Sequence, residues 1–489
     1  MNHKLVRSIM LALSLLLITS MIGLAAPVAD ATTKTLSTNY TVMNLSTTND
    51  ATVTVMYKTD TGADWAASSS STSFTVVKNY GQQIIAQYLD TSMAAGKGSA
   101  VLSSTEPLAA IVQILARNQT PSSGAYSGFT SGSNKFYAPL VQAKLVTGGG
   151  TSNAQIMIQN IGNTALTNVV VDFYHNPILL SITDHQKTGI SIPAYSTFYY
   201  DLSNESMLEA QWSGSAVVTA DTGKSVAVVV NLFAGANTLT TYNAYPVESI
   251  GSDWAIPLFT SRLANGLSTS VSVQNVSGSS MAIGSITLSC KSTLSTPATF
   301  SKTNDTAVAN NAGFGFNPFV DLSIPGNWTG ACTISAPGDA VVMVTLRRPG
   351  LSDDAGAYEA FNASSTNTQV VVPLMSKRQA NGFATVATIQ NLDTTNAATV
   401  DLTYTPSASY GGSPTPIVIT NQNIPAGGNL IQNLRFNDVP QVPNGWFGTL
   451  VVTPSASTTA RPLVAFLQLT NYLGSTGDTL MCHDAFSLP

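Results

Sequence analysis

Charge is what this chain has least of. Asp, Glu, Lys and Arg together make up 9% of its 489 residues and leave a net charge of −5, so there is no basic footprint for nucleic acid. Histidine is nearly as scarce, at four residues, and cysteine numbers three. No Cys or His spacing of a zinc site occurs, and no Ser, Cys or carboxylate sits in a nucleophile motif. Long helical periodicity is missing, which excludes helical bundles. A single long apolar run, Ile9 to Ala26, is the only stretch with the look of a membrane-spanning helix, and no second long apolar segment follows it.

What fills the space is β-forming. Val, Ile, Thr, Tyr and Phe alternate with polar residues, while Gly, Pro and Asn punctuate every 8 to 12 residues. That is the pattern of antiparallel sandwiches. Hydrophobic residues reach 44% and mean hydropathy is +0.17, enough apolar material for several cores. The polar positions are Ser, Thr, Asn and Gly, so a neutral, hydroxyl-rich surface is expected.

Residues 1–31 read as a secretory signal peptide: basic Lys4 and Arg7, the apolar run, then the small-residue exit Ala29-Asp30-Ala31. Cleavage is expected after Ala31, with Ala26 as the alternative. No stable membrane insertion is expected after cleavage, and the mature chain should be secreted, extracellular or held at the cell surface.

One phrase recurs. It reads IMIQNI at Ile156–Ile161, VSVQNV at Val271–Val276, ATIQNL at Ala387–Leu392 and, more faintly, YTVMNL at Tyr40–Leu45. The asparagines Asn44, Asn160, Asn275 and Asn391 are 116, 115 and 116 residues apart, a period that means tandem repeats. The expected fold is therefore all-β: four tandem immunoglobulin-like antiparallel sandwiches, at 35–130, 131–246, 247–362 and 363–489. Each Asn precedes a turn-rich segment, so it should bond a turn rather than a ligand.

Other landmarks keep step with the phrase. Trp212, Trp328 and Trp446 each stand two residues before a glycine, Gly214, Gly330 and Gly448, with Gly98 at the matching place in repeat 1. Tyr126 with Phe129, Tyr242 with Tyr245, Tyr358 with Phe361, and His483 with Phe486 close the repeats. Such rings are normally core, and stacking on carbohydrate is the functional alternative for the three tryptophans. Three repeats open on Pro-Leu followed by a basic residue five after the proline: Lys144, Arg262 and Arg378. These basic corners are read as solvated charges or inter-repeat contacts, with a repeated anion site as the alternative.

Asn160-Ile-Gly162, then NVVVDFY and ISIPAYS at Ile190–Ser196, resemble the bacterial cell-adhesion-related domain. Repeat 4 keeps Asn391, TVDLTY and Ile424-Pro425-Ala426-Gly427-Gly428, whereas repeats 1 and 3 lack the Pro-Ala turn. The resemblance implies an immunoglobulin-like sandwich acting as a non-catalytic spacer or adhesion element of a surface protein.

Cys290 and Cys332 belong to repeat 3, where other repeats carry Tyr57 with Ala100, Tyr174 with Ala216, and Tyr404 with Leu450. A pair that changes together points to contact across the core and, in an exported chain, to a disulfide. Closing such a loop stabilises by roughly 4 kcal/mol in the chain-entropy model. Cys482 is left over, beside His483 and on the opposite strand face from it; an intermolecular bridge or an idle thiol are its two readings.

The expected function is a secreted, non-catalytic structural or adhesion protein without cofactor or metal, shaped as a rod. At ~3.3 Å per residue each repeat is about 30 Å long, and four end to end reach about 120 Å. Expected partners are other surface proteins, polysaccharide or further copies of the chain, with no nucleic acid. An extracellular carbohydrate-binding protein using exposed tryptophans is the first rival. An enzyme site around His175, His185 and Asp184 is the second, with no supporting spacing. The acidic pairs Asp60 to Asp64 and Asp353-Asp354 lack the alternation of a calcium loop. Asn-x-Ser/Thr triplets at Asn39, Asn118, Asn204, Asn304 and Asn362 are glycan acceptors only in a host that makes such glycans.

Overall fold

A computed structural model describes residues 35–488 apart from 117–118, 148–149, 176–183, 349–352, 437–438, 457, 472 and 474–476. Residues 1–31, the expected signal peptide, lie outside the described residues. Among those described, no helix is long and apolar enough to cross a membrane.

The fold is all-β with multiple antiparallel sheets and no barrel. The same strands recur in each repeat. The Gln-Asn strands are Leu36–Asn44, Gly150–Asn160, Ser268–Asn275 and Phe383–Asn391. Each pairs with a short fifth strand (Gln82–Ala86, Thr197–Asp201, Gly313–Phe316, Asn429–Asn433) and, on its other side, with a long penultimate strand. The penultimate strands are Leu108–Ala116, Val226–Ala234, the second half of Trp328–Arg347, and Leu463–Asn471. They pair in turn with the closing strands Ser123–Ser127, Thr238–Asn243, Ala355–Glu359 and Met481–Asp484.

The facing sheet is built on the third strands, Ala51–Thr59, Leu166–His175, Thr287–Lys291 and Ala398–Pro406. These pair with the glycine strands: Gly98–Ser104, Trp212–Thr219, the first half of Trp328–Arg347, and Phe447–Pro454. The entry strands Lys135–Ala143, Gly251–Ser261 and Gln369–Ser376 add to the free side of the glycine strand in repeats 2, 3 and 4. Repeat 1 has no described entry strand, and its facing sheet stops at three strands.

The recurring Asn works as a main-chain staple. Nδ2 of Asn44 donates to Asn49 O (2.8 Å) and Val76 O (3.0 Å), and Oδ1 accepts from Ser46 N (2.9 Å). Asn275 does the same with Ser279 O, Val308 O and Ser277 N, and Asn160 and Asn391 keep both halves of the pattern. All four side chains are fully buried, so each satisfies backbone groups of a turn that water cannot reach. The post-tryptophan glycine is steric in origin. A Cβ on Gly98, Gly214, Gly330 or Gly448 would land on the carbonyl of Lys58, Tyr174, Lys291 or Thr405 at the end of the third strand.

The four repeats do not form a rod. The closing strand of repeat 1 packs against those of repeats 2 and 4, and the strand of repeat 3 packs against the same two, so the array closes on itself. Repeat 1 meets repeat 4 through Met43, Ala109, Val371 and Val451. Repeat 3 shares its core with Tyr245 of repeat 2 and Phe466 of repeat 4, the latter stacked on Tyr358 at 4.1 Å. The expectation of an extended rod fails because each sandwich keeps an apolar flank that a linear array would leave in water. Prediction: small-angle scattering of the purified chain gives a radius of gyration near 23 Å, from the size of compact chains, whereas a 120 Å rod would give about 35 Å.

Candidate functional site: the axis and the loop face

The four closing strands surround a common axis in two polar levels. At the end where the penultimate strand turns into the closing strand, Ser122 Oγ donates to Asn237 O and Asn237 Nδ2 to Asp353 Oδ2 (2.8 Å). Thr479 N donates to Asp354 Oδ1 (3.0 Å), and Asp478 N to Pro121 O (2.9 Å). Those four bonds join all four neighbouring repeats. Asp478 sits at the centre of this level, fully buried, with Oδ1 accepting from Ala355 N and Leu480 N (both 3.1 Å) and Oδ2 from Leu239 N (2.8 Å). Burial pushes its carboxyl well above the usual range, opposed by those N–H groups.

The second level lies at the far end of the same strands, on Ser127, Asn243, Glu359 and Asp484. Asn243 Nδ2 donates to Ser127 O (2.9 Å), Asn243 N to Glu359 Oε1 (2.6 Å), and Ser127 Oγ to Asp484 O (3.3 Å). The Glu359 and Asp484 carboxyls are close neighbours at the axis, and Asp484 Oδ1 is buried without a hydrogen-bond partner. Burial raises both carboxyls above their ordinary range, and for Asp484 the neighbouring carboxylate adds to it. Because matching ends of the closing strands meet at both levels, the four strands run the same way along the axis. Corresponding loops of all four repeats therefore lie on one side of the ring.

That side carries the apolar exposure. Of twelve exposed large hydrophobic residues, nine stand at the end where the penultimate strand turns into the closing strand, eight in loops and Val146 in the short strand Leu145–Thr147. Repeat 1 presents Tyr88 and Leu89, repeat 2 Val146, and repeat 4 Phe436 and Leu473. Repeat 3 presents Leu294 and Val320 at 80% exposure, with Leu322 and Phe319 beside Val320. Side chains this accessible in a chain with so few charges form a crown that water solvates poorly.

The residues singled out from sequence go elsewhere. Trp212, Trp328 and Trp446 are at most 1% exposed, each packed edge-on against an aromatic ring of its own repeat, such as Phe173, Phe300 or Tyr404. They offer no face for a sugar, and the stacking alternative is withdrawn on that ground. Lys144, Arg262 and Arg378 all adopt left-handed backbone, with φ of 51°, 45° and 46°. Lys144 Nζ donates to Glu205 O (2.8 Å) and Leu208 O (2.6 Å), and the Arg262 guanidinium to Pro318 O and Ile324 O. Both staple the loop that leads into the tryptophan. In repeat 4 Lys377 takes this work, donating to Val439 O at 2.7 Å, and Arg378 is exposed. The corner is thus a loop staple inside each repeat, filled by main-chain carbonyls where an anion would have to sit.

Cys290 and Cys332 form a disulfide. They are directly opposite on neighbouring strands of one sheet, so the expected contact holds but does not cross the core. The sister pairs are Tyr57 with Ala100, Tyr404 with Leu450 and, one residue from the expected Tyr174, Phe173 with Ala216. Cys482 is buried on the axis side of its strand with Sγ against Gly356, where no larger residue fits. Its burial leaves no surface for an intermolecular bridge. His175 pairs with Asp184 at 2.7 Å and His185 with Glu209 at 2.9 Å, two separate couples. Among the described residues no group of His, Cys, Asp and Glu is arranged to hold a metal.

The axial residues Ser127, Asn243, Glu359 and Asp484 were not singled out from sequence. Their signal was available: each follows the closing tyrosine, or His483, by one residue.

Two opposing pH dependences follow. Tyr242 and Tyr358 donate to Leu140 O (2.5 Å) and Leu258 O (2.9 Å) on their entry strands. His483 replaces them, with Nε2 buried and unpartnered, and burial lowers its pKa to about 4. A folded pKa below the unfolded value of about 6.5 means stability present above pH 6.5 and lost as pH falls toward 4, by up to roughly 3 kcal/mol. Glu359 and Asp484 have raised folded pKa values, so their contribution is present in acid and lost as pH rises through those values. Predictions: in urea titrations His483→Tyr removes most of the loss between pH 6.5 and 4. Glu359→Gln flattens the loss on the alkaline side, and an unchanged alkaline limb would contradict the upward shift of the Glu359 carboxyl.

No family model matches the chain, and no curated protein does. A solved structure described as Thermotoga maritima 1070 aligns at 16% identity over 24% of this chain and 97% of its own, with a TM-score of 0.20. The C-terminal domain of the Streptococcus pyogenes antigen I/II-family protein AspA aligns at 6% identity over 88% of this chain and 98% of its own, with a TM-score of 0.11.

Proposed function

We propose that the chain is an exported, non-catalytic adhesion or structural protein. In this reading residues 35–130, 131–246, 247–362 and 363–489 are four immunoglobulin-like sandwiches that act as one rigid ring at the cell exterior. Support for the sandwich reading comes from the repeated pairing of a fifth, Gln-Asn, penultimate and closing sheet with a third, glycine and entry sheet. The disulfide is compatible with an oxidising compartment.

The observation that carries the functional reading is the one-sided crown of exposed apolar loop residues on a ring whose interior polar groups are committed to holding it together. Polar and acidic side chains at the axis bond neighbouring repeats, the basic corners bond carbonyls, and the tryptophans are core. What is left for a partner is the loop face. Its chemistry favours an apolar protein surface over polysaccharide, because the most exposed of these side chains, Leu294, Val320 and Leu322, are aliphatic. A rigid scaffold lowers the ordering cost of such a contact.

Prediction: beads coated with the exported chain adhere to whole cells of the producing organism. The variant Leu294→Asp/Val320→Asp/Leu322→Asp loses at least ten-fold of that adhesion and keeps its melting temperature within a few degrees, because the three side chains are already in water. Equal adhesion by the variant would overturn the crown as the contact face, and turnover on a panel of hydrolase substrates would overturn the non-catalytic reading.

A further inference from the structure

The first sandwich is one strand short of its sisters, and the shortfall opens a groove along its seam with repeat 2. In repeats 2, 3 and 4 the entry strand lies on its own glycine strand and also packs on the Gln-Asn strand of the next repeat. Both walls are sealed by it. On the glycine strands Ala216 and Val218, Cys332 and Ile334, Leu450 and Val452 are at most 1% exposed, and so are Gln274, Gln390 and Met43 on the Gln-Asn strands they face. In repeat 1, among the described residues, no strand adds to the outer side of Gly98–Ser104. The matching Ala100 and Leu102 are partly exposed, and so is Gln159 across the seam in repeat 2.

The free edge is one of backbone as well as side chains. Asp60 N donates to Lys97 O (3.0 Å) and Thr105 N to Thr52 O (3.2 Å), so the odd-numbered residues of this strand bond the third strand. Antiparallel ladders alternate sides, which turns the N–H and C=O of Ala100, Leu102 and Ser104 outward. Gly98 O, on the same edge, accepts from the Tyr199 hydroxyl of repeat 2 (2.6 Å). In the sisters a return segment, Tyr245–Pro246, Phe361–Asn362 or Phe486–Leu488, pairs with the far side of the entry strand. Its counterpart in repeat 1, at Phe129, stays outside any strand and leans on Phe136 of repeat 2. An unpaired edge beside a partly apolar groove is the geometry that accepts an added strand.

We propose that this groove docks an extended segment of a second, different polypeptide, added antiparallel to Gly98–Ser104. The three entry strands state its chemistry. Each sets three apolar side chains into the core: Phe136, Ala138 and Val141 in repeat 2, with Trp254, Ile256 and Phe259, or Val370, Val372 and Met375, in the same places and none above 2% exposed. In repeat 2 they stand opposite Val218, Ala216 and Gly214, and the other two copies keep that register. The same places in repeat 1 are Leu102, Ala100 and Gly98. The partner segment therefore carries one apolar residue against Leu102, a second two residues on against Ala100, and a third past a one-residue bulge against Gly98. The chain itself has no such segment to give. Every described strand already belongs to a sheet of its own ring. The first core residue of each entry strand stands 14, 14 and 13 residues before the start of its Gln-Asn strand. The export reading, on which this inference rests, leaves four residues (32–35) before Leu36 with a cut after Ala31, or nine (27–35) with a cut after Ala26.

The test uses the chain as exported by its host, with the peptide Lys135–Ala143 of repeat 2, KFYAPLVQA, as the probe. The expected result is saturable one-to-one binding, weakened at least ten-fold when the peptide carries Phe136→Asp and Val141→Asp. In the chain, Leu102→Pro removes an outward N–H and no bond to the third strand, so it lowers peptide binding at least ten-fold and keeps the melting temperature within a few degrees. Amide exchange gives a readout that needs no variant: Ala100 and Leu102 exchange fast in the chain alone and slowly with peptide. Absent binding, or binding that Leu102→Pro leaves unchanged, overturns the proposal. Slow exchange without peptide overturns it too, in favour of a second copy where protection rises with chain concentration and of the chain's own residues where it does not. Intact mass separates this inference from the reading beneath it. Failed binding by a chain that starts at Pro27 or Thr32 sinks the groove alone, whereas a chain that keeps residues before Ala26 sinks the expected export cut and the groove with it. The loop crown lies on other residues, so its adhesion test reads independently.

Discussion

Everything in this structure hangs on the shared direction of four short strands about one axis. Because the closing strands run the same way, matching residues meet at matching heights, and one set of polar bonds serves at each level. A parallel arrangement of this kind needs no main-chain ladder between repeats. Side chains and turn carbonyls make the joins, which is why the axial positions hold Ser, Asn, Asp and Glu rather than the Val and Ile of the strands around them. The four copies have diverged into different hydrogen-bonding roles while keeping the same place. Asn243 donates twice, Glu359 accepts, Asp484 sets a second carboxyl beside Glu359, and Ser127 bridges to Asp484.

A second ring of contacts reinforces the first further out. Each staple turn holds a left-handed residue at the same place, Tyr80, Tyr195, Asn311 or Gly427, with φ between 57° and 63°, and in repeat 1 Asn79 beside it is left-handed as well. The glycine strand of the preceding repeat reaches toward that turn: Ser99 Oγ to Tyr195 O, Ser215 Oγ to Asn311 O (2.5 Å), Thr449 Oγ1 to Tyr80 O (2.9 Å). In the remaining interface Lys291 Nζ reaches Ala426 O at 2.7 Å instead. The last of the hydroxyl contacts joins repeat 4 to repeat 1 by the same geometry as the joins along the chain. Closure is therefore made of the same contact repeated, with no special device at the seam.

Much of the local structure was legible because it is periodic. The staple Asn, the post-tryptophan glycine and the cysteine pair each occur at fixed spacing, and each turned out to satisfy a demand inside one sandwich: a buried turn, a carbonyl too close for a Cβ, a cross-strand pair. What was illegible is the relation between sandwiches. Nothing in an alternating strand states whether its outward residues meet water or another repeat. Gln274 and Gln390 illustrate the point, since a glutamine on a strand reads as surface, yet both are buried and donate to the neighbouring repeat at Ala216 O and Cys332 O (3.4 and 3.3 Å). Their low charge was the available hint. A surface with 9% charged residues over the whole chain is hard to reconcile with four separately solvated sandwiches, and easier to reconcile with flanks turned against one another.

The tryptophans and basic corners failed as site residues for a common physical reason. A feature repeated once per sandwich is under the same constraint in every copy, and the constraint common to all copies is folding. Function in a closed array should instead appear where the copies differ on a face they share. The loops after the fifth strand meet that condition: Tyr88 and Leu89, the half-buried Met207, then Phe319, Val320 and Leu322, then Phe436. All four occupy the same structural place, their exposed residues differ from copy to copy, and three of the four expose apolar side chains. Divergence at a fixed position on one side of a ring is how a symmetric scaffold acquires an asymmetric contact. The widest apolar exposure lies in repeat 3, the repeat that alone is cross-linked by a disulfide. Stiffening the sandwich beneath that loop keeps the exposed residues presented and limits the freedom a partner would have to remove.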